Sequence, residues 1–150
     1  MEWERYELVR SANGLKYSFC SEGPRGRIRK GIAFQLISGV GSSTFNLVFG
    51  DLEEGTNRID DGSVSNNNDR QKVLYTVAAS VIDFLKFRPS AIILIKPNAL
   101  PRARLYQMMI SSLGLDMSEK YEIYGRRAGQ YVPFRKGLNY EEFIVLKKMM

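Results

Sequence analysis

The sequence predicts an α+β fold, a single domain over 1–150 built on a mixed, mostly antiparallel sheet. Three observations predict it. Period-two alternation recurs through the first third of the chain, a 3.6-period apolar stripe runs from Val73 to Leu85, and the unbroken apolar run Ala91–Ile95 follows directly. At 150 residues, 44% of them hydrophobic and 25% charged, the chain can bury a core without metal or disulfide support.

Taken in order, Glu4–Arg10 and Tyr17–Ser21 read as strands separated by Asn13-Gly14, a tight-turn pair. Ser21-Glu22-Gly23-Pro24-Arg25-Gly26 is a second turn. After it Arg27, Arg29 and Gly31 alternate with Ile28, Lys30 and Ile32, and Phe34-Gln35-Leu36-Ile37 carries the strand into the core. Thr44–Phe49 is its expected antiparallel neighbour beyond a Ser/Gly loop at 38–43. A shorter strand around Arg58–Val64 follows the acidic turn Glu53-Glu54-Gly55.

The period then changes. Val73, Leu74, Val77, Ala78, Val81, Ile82 and Leu85 form a stripe wide enough to lie on a sheet, with Asn68 or Asp69 as cap and Pro89 as terminator. Ala91–Ile95 is apolar on both faces, as a strand covered above and below must be. A strand, helix, strand unit with this crossover is parallel and right-handed, so the sheet is mixed. Pro101 opens a second helix and Gly114 ends it, with Ala103, Tyr106, Met109, Ile110 and Leu113 on one face. Tyr121–Tyr124 and Gln130–Phe134 flank Arg126-Arg127-Ala128-Gly129 as a final hairpin. Glu141–Lys148 fits a short helix or a strand equally.

Composition excludes several chemistries. The chain has no histidine, so Ser-His-Asp and Cys-His catalysis and histidine-containing zinc sites are absent. One cysteine, Cys20, cannot close an intramolecular bridge, and no apolar run approaches the roughly 20 residues of a membrane-spanning helix. With no secretory h-region after Met1, the expected location is the cytoplasm, without membrane contact.

The net charge is +6, and its distribution matters more than its size. Residues 1–75 hold ten basic and ten acidic side chains, whereas 76–150 hold twelve and six. Arg25, Arg27 and Arg29 crowd one stretch of the balanced half. Residues two apart on a strand share a face about 6.5 Å apart, close to the phosphate repeat of a stretched single strand. The row therefore suits a nucleic acid or an acidic protein partner, or it protects a sheet edge. Arg102 and Arg104 are further anion-binding candidates, though two apart on a helix they point to different sides. Asp51, Glu53, Glu54, Asp60 and Asp61 read as turn chemistry, and no metal site is expected.

The order of four N-terminal strands, helix, buried strand, helix and strand pair resembles the GNAT acyltransferase fold. Asn98-Ala99-Leu100-Pro101-Arg102-Ala103-Arg104-Leu105-Tyr106 looks like that family's helix after the fifth strand, one residue longer in its Asn-to-Tyr spacing. The resemblance implies an acyl-CoA cofactor such as acetyl-CoA, with Tyr106 as proton donor to the thiolate and Asn98 near the pantetheine arm. Asn67, Asn68, Arg70 and Lys72 would then meet the pyrophosphate. That turn departs from the family's glycine-rich loop, since no glycine lies between Gly62 and Gly114, and Asp69 would repel a phosphate there.

The chain is also similar to an uncharacterised family of short bacterial proteins, through the Ser21–Gly26 turn, Val64-Ser65-Asn66-Asn67 and Arg104-Leu105-Tyr106. Two functions follow as expectations. The favoured one is a non-enzymatic interaction module with a basic surface on a GNAT-like scaffold and no cofactor, in the setting of a small toxin–antitoxin or phage-defence operon. The alternative is an acyl-CoA-dependent N-acyltransferase.

Overall fold

A computed structural model of the chain describes residues 4–37, 43–60, 65–97, 104, 106–108, 110–111 and 120–148. Among these residues nine strands and one long helix follow in order: β1 (Val9–Arg10), β2 (Lys16–Gly23), β3 (Gly26–Leu36), β4 (Thr44–Leu52), β5 (Ile59–Asp60), α1 (Arg70–Phe87), β6 (Ile92–Ile95), β7 (Tyr121–Arg127), β8 (Gln130–Pro133) and β9 (Phe143–Lys147). Residues 104, 106–108, 110 and 111 are helical as well. The strands hydrogen-bond in the order β1-β2-β3-β4-β6-β9-β7-β8, with β5 on β4, so the α+β class with a mixed, mostly antiparallel sheet holds. The chain divides into two compact units, Met1–Gln35 with Leu47–Phe84, and Leu36–Asn46 with Leu85–Met150.

In the first unit α1 covers one face of the β2–β3 hairpin. Tyr17, Phe19 and Ser21 stand opposite Ile32, Lys30 and Ile28 on that face, and the Phe34 ring stacks on Phe84 of α1 at 4.1 Å. The predicted stripe is present, with Val73, Leu74, Val77, Ala78, Val81 and Leu85 buried and Ile82 partly so; Phe84, which the stripe did not include, is fully buried as well, and the helix begins at Arg70 directly after Asp69. The N-terminal strand is shorter than expected. Only Val9 and Arg10 pair with β2, because the Tyr6 N–H turns away to Thr76 Oγ1 of α1 at 2.8 Å. Arg25 also leaves the expected strand row. Pro24 and Arg25 form the turn, and Gly26, at φ +85°, starts β3 in a conformation that glycine adopts without a Cβ clash.

In the second unit β4 pairs with β6 in parallel, Thr44, Phe45 and Asn46 opposite Ile92, Ile93 and Leu94, as the βαβ reading requires. The unsettled C-terminal stretch is a strand. β9 lies between β6 and β7, antiparallel to both, so the hairpin β7–β8 does not border β6. Arg127 and Gln130 close that hairpin through Ala128 and Gly129, both at positive φ. One face of these strands is tightly covered, with Ile93, Ile95, Phe143 and Val145 buried and the Tyr140 ring seated where Gly125 has no side chain. Gln107 Nε2 donates to the Leu138 carbonyl and ties the second helical stretch to the loop that carries Tyr140. The other face of β6 is covered less completely. Ile92 and Leu94 are only partly buried, since the alternation of β6 puts them away from the covered face.

Candidate functional site

Two groups of residues stand out in the first unit: a polar junction at the start of α1 and the arginines of the hairpin. The junction is a chain of hydrogen bonds with a consistent direction. Asn67 Nδ2 donates to Ser21 Oγ at 3.1 Å, Ser21 Oγ donates to Asp69 Oδ2 at 2.5 Å, and Tyr6 Oη donates to the same oxygen at 2.6 Å. The Glu22 N–H in turn donates to Tyr6 Oη at 3.0 Å. Asn67 is 1% exposed and also clamps the hairpin turn, giving its second amide hydrogen to the Gly26 carbonyl and accepting the Arg25 N–H at 2.7 Å.

This arrangement settles what the triple-asparagine run does locally. Asn67 is a buried strut between α1 and the β2–β3 turn, and Asn68 takes φ 60°, a left-handed conformation that asparagine tolerates. Asp69 precedes the helix, as a cap should, and its carbonyl accepts the Val73 N–H at 3.0 Å. Its carboxylate serves two hydroxyls. Tyr6 is held over Lys72, whose ammonium lies 4.3 Å from the ring centroid, and Lys72 also meets Glu4 at 3.4 Å. Burial, and then the bond to Asp69, pushes the Tyr6 phenol above its ordinary range.

The residues expected to meet a pyrophosphate are thus employed within the fold. Asn67 and Lys72 have partners on the chain, Asn68 and Arg70 are exposed, and Asn98 lies outside the described residues. Tyr106 is 5% exposed, and Arg104 is helical and exposed. Arg102 is also outside the described residues.

The arginines lie differently. Arg27 and Arg29 sit two apart on β3, opposite Glu22 and Cys20, on the face away from the part-buried Ile28 and the buried Lys30 and Ile32. Arg27 meets Glu22 at 3.5 Å with both side chains largely exposed, and Arg29 Nη1 donates to Asn57 Oδ1 at 3.2 Å. Such exposed contacts are worth under about 1 kcal/mol and exchange readily. Arg25 is exposed in the turn above them.

A buried cation went unassigned in the sequence reading. Lys30 is 4% exposed, with Nζ 2.5 Å from Asp51 Oδ1 and 2.7 Å from Ser65 Oγ, and it lies 5.9 Å from the Phe49 ring centroid. The signal was its phase. Lys30 stands between Ile28 and Ile32 on the inward register, where a charge survives only with a partner. No group of three or more metal-ligating side chains occurs among the described residues, and no helix is long and apolar enough to cross a membrane.

The sequence matches a family of unknown function, DUF6934, over residues 2–148, and the chain belongs to that family. Comparison with curated proteins gives no match, and comparison with solved structures gives none.

Proposed function

We propose that this chain is a non-enzymatic interaction module that binds an anionic backbone through its β2–β3 hairpin, with single-stranded nucleic acid as the favoured partner. The observation that carries the reading is the pair Arg27 and Arg29, exposed on one strand face and held only by surface contacts. Their spacing of about 6.5 Å along β3 suits successive phosphates of an extended strand, and Arg25 adds a third cation at the turn. The strut at Asn67 supports the reading from the other side. It fixes the turn that presents Arg25, so the cations are displayed on a braced element.

Anisotropy of a labelled single-stranded oligonucleotide, measured over a salt series, tests it. Binding should weaken steeply with salt. Arg27→Ala with Arg29→Ala should lower the slope of log affinity against log salt by about 1.4, two phosphates at about 0.7 each. Salt-sensitive binding to an acidic protein but not to the oligonucleotide would move the partner class. Absence of binding to both, or affinity unaltered in the double variant, would remove the arginines from the function.

The acyl-CoA reading keeps one supporting observation. β4, α1 and β6 form a parallel βαβ unit, with β9 antiparallel to β6, which suits a GNAT-like scaffold. Against it, the turn that would cradle a pyrophosphate is occupied by Asn67 and Asp69 in the junction. A rise of several degrees in thermal midpoint with millimolar acetyl-CoA would favour the enzyme.

A further inference from the structure

Both strand arginines of the hairpin are held by hydrogen-bond acceptors. Glu22 Oε1 lies 3.5 Å from Arg27 Nε, and Asn57 Oδ1 accepts from Arg29 Nη1 at 3.2 Å. The Glu22 N–H points to Tyr6 Oη rather than to β3, so Glu22 and Arg27 form a non-hydrogen-bonded pair, the kind whose side chains stand closest. Because the carboxylate engages Nε, the terminal nitrogens of that guanidinium can take a phosphate. The phosphate would then pass beside Glu22. A carboxylate there repels the ligand's charge unless the ligand brings a donor to it. Phosphodiesters and deoxyribose carry none, whereas each ribose of an RNA strand carries one, the 2′-hydroxyl.

Resting on the functional reading above, we infer that the hairpin selects ribose over deoxyribose: its ligand is single-stranded RNA, with phosphates on Arg27 and Arg29 and a 2′-hydroxyl donating to the Glu22 carboxylate. The rest of the face leaves the sugar as the feature to read. It holds Ser18, Cys20 and Glu22 on β2 and Arg27, Arg29 and Gly31 on β3. None is aromatic, so no stacking platform for bases is present there. The track is also short. Leu52 and Ile59 close over Gly31, where an added Cβ would meet Leu52 Cδ2 at 2.7 Å, so a strand lying on Arg29 and Arg27 runs off over the turn at Arg25. Donors on the bases are common to RNA and DNA of one sequence and give no choice between them.

Anisotropy of the whole chain with a labelled oligouridylate and an oligodeoxyuridylate of equal length, which differ only at the 2′ position, tests the proposal at low salt. The RNA should bind about fivefold more tightly, the worth of one added hydrogen bond. A 2′-fluoro strand keeps the ribose pucker but has no hydroxyl proton, and it should bind as weakly as the DNA. Glu22→Ala should tighten DNA binding by removing the repulsion and bring the RNA-to-DNA ratio near one. Glu22→Gln keeps an acceptor oxygen and should restore a preference for RNA. The Glu22 side chain is largely exposed and Tyr6 meets its backbone, so both variants should keep the fold, which circular dichroism checks. Equal affinity for the two strands, a 2′-fluoro strand that binds like RNA, or a ratio unchanged in Glu22→Ala overturns this inference and leaves the arginine reading standing. Binding of neither strand, or binding indifferent to Arg27→Ala with Arg29→Ala, overturns both.

Discussion

Tyr6 Oη lies 2.6 Å from Asp69 Oδ2, joining the N-terminal segment to the first residue before α1 across 63 positions of sequence. The same hydroxyl accepts the Glu22 N–H, so one phenol links three separate stretches of chain. Tyr6→Phe keeps the ring over Lys72 and stacked on Phe19 but leaves the Glu22 N–H without this acceptor. The expected loss is about 1–2 kcal/mol, read as a lower urea midpoint at unchanged slope.

Gly23 tolerates no side chain. A Cβ there would fall on the Asn67 carbonyl oxygen, a backbone atom of the segment that clamps the turn. Gly23→Ala should therefore destabilise by about 2 kcal/mol or more, whereas Gly26→Asn, at a positive φ with open space around it, should cost under about 1 kcal/mol. Equal losses from the two would show that the close approach to Asn67 carries no weight.

Lys30 and Asp51 form an ion pair in which the lysine side chain is 6% exposed. Removing one charge strands the other, so Asp51→Asn should cost about 3 kcal/mol. Lys30→Met with Asp51→Leu replaces both by apolar groups and should recover most of that loss. A double-mutant cycle by denaturant unfolding measures the coupling, and additive losses would contradict it.

Tyr17 donates to Asp83 Oδ2 at 2.6 Å, and burial together with that carboxylate raises its phenol well above 10.0. Unfolded tyrosine ionises near 10 while the folded one stays protonated. The stabilisation is thus complete below pH 10 and is lost as pH climbs toward the folded value. Thermal midpoints should fall between pH 9.5 and about 11, and Tyr17→Phe should flatten that fall while leaving the Tyr6 share.

Much of the fold was legible because its elements are locally specified. The helix showed in the spacing of Val73, Val77, Val81 and Leu85, and the βαβ unit in Ala91–Ile95 placed after Pro89. Asn13-Gly14 and Pro24-Arg25-Gly26 marked their turns through backbone preference alone. The rest depends on contacts between distant stretches. β9 has five residues of no decisive period, and only its place between β6 and β7 makes it a strand. Tyr6 left the first strand because the Thr76 and Asp69 side chains, some seventy residues on, offered better partners. The hairpin arginines were visible as a row, but the run at 66–69 carried no mark telling a phosphate cradle from a strut. That difference lies in Asn67 reaching the Gly26 carbonyl and the Arg25 N–H across the chain.

The position of β9 has a consequence for synthesis. β9 follows β6, β7 and β8 along the chain yet lies between β6 and β7, so until Phe143–Lys147 has left the ribosome, β6 and the β7–β8 hairpin have no common neighbour to hold them. The Ile-rich edge of β6 stays open until β9 emerges, a period in which a nascent chain needs shielding from others like it. The helix-bearing first unit has all its strands much earlier and can settle while the remainder waits.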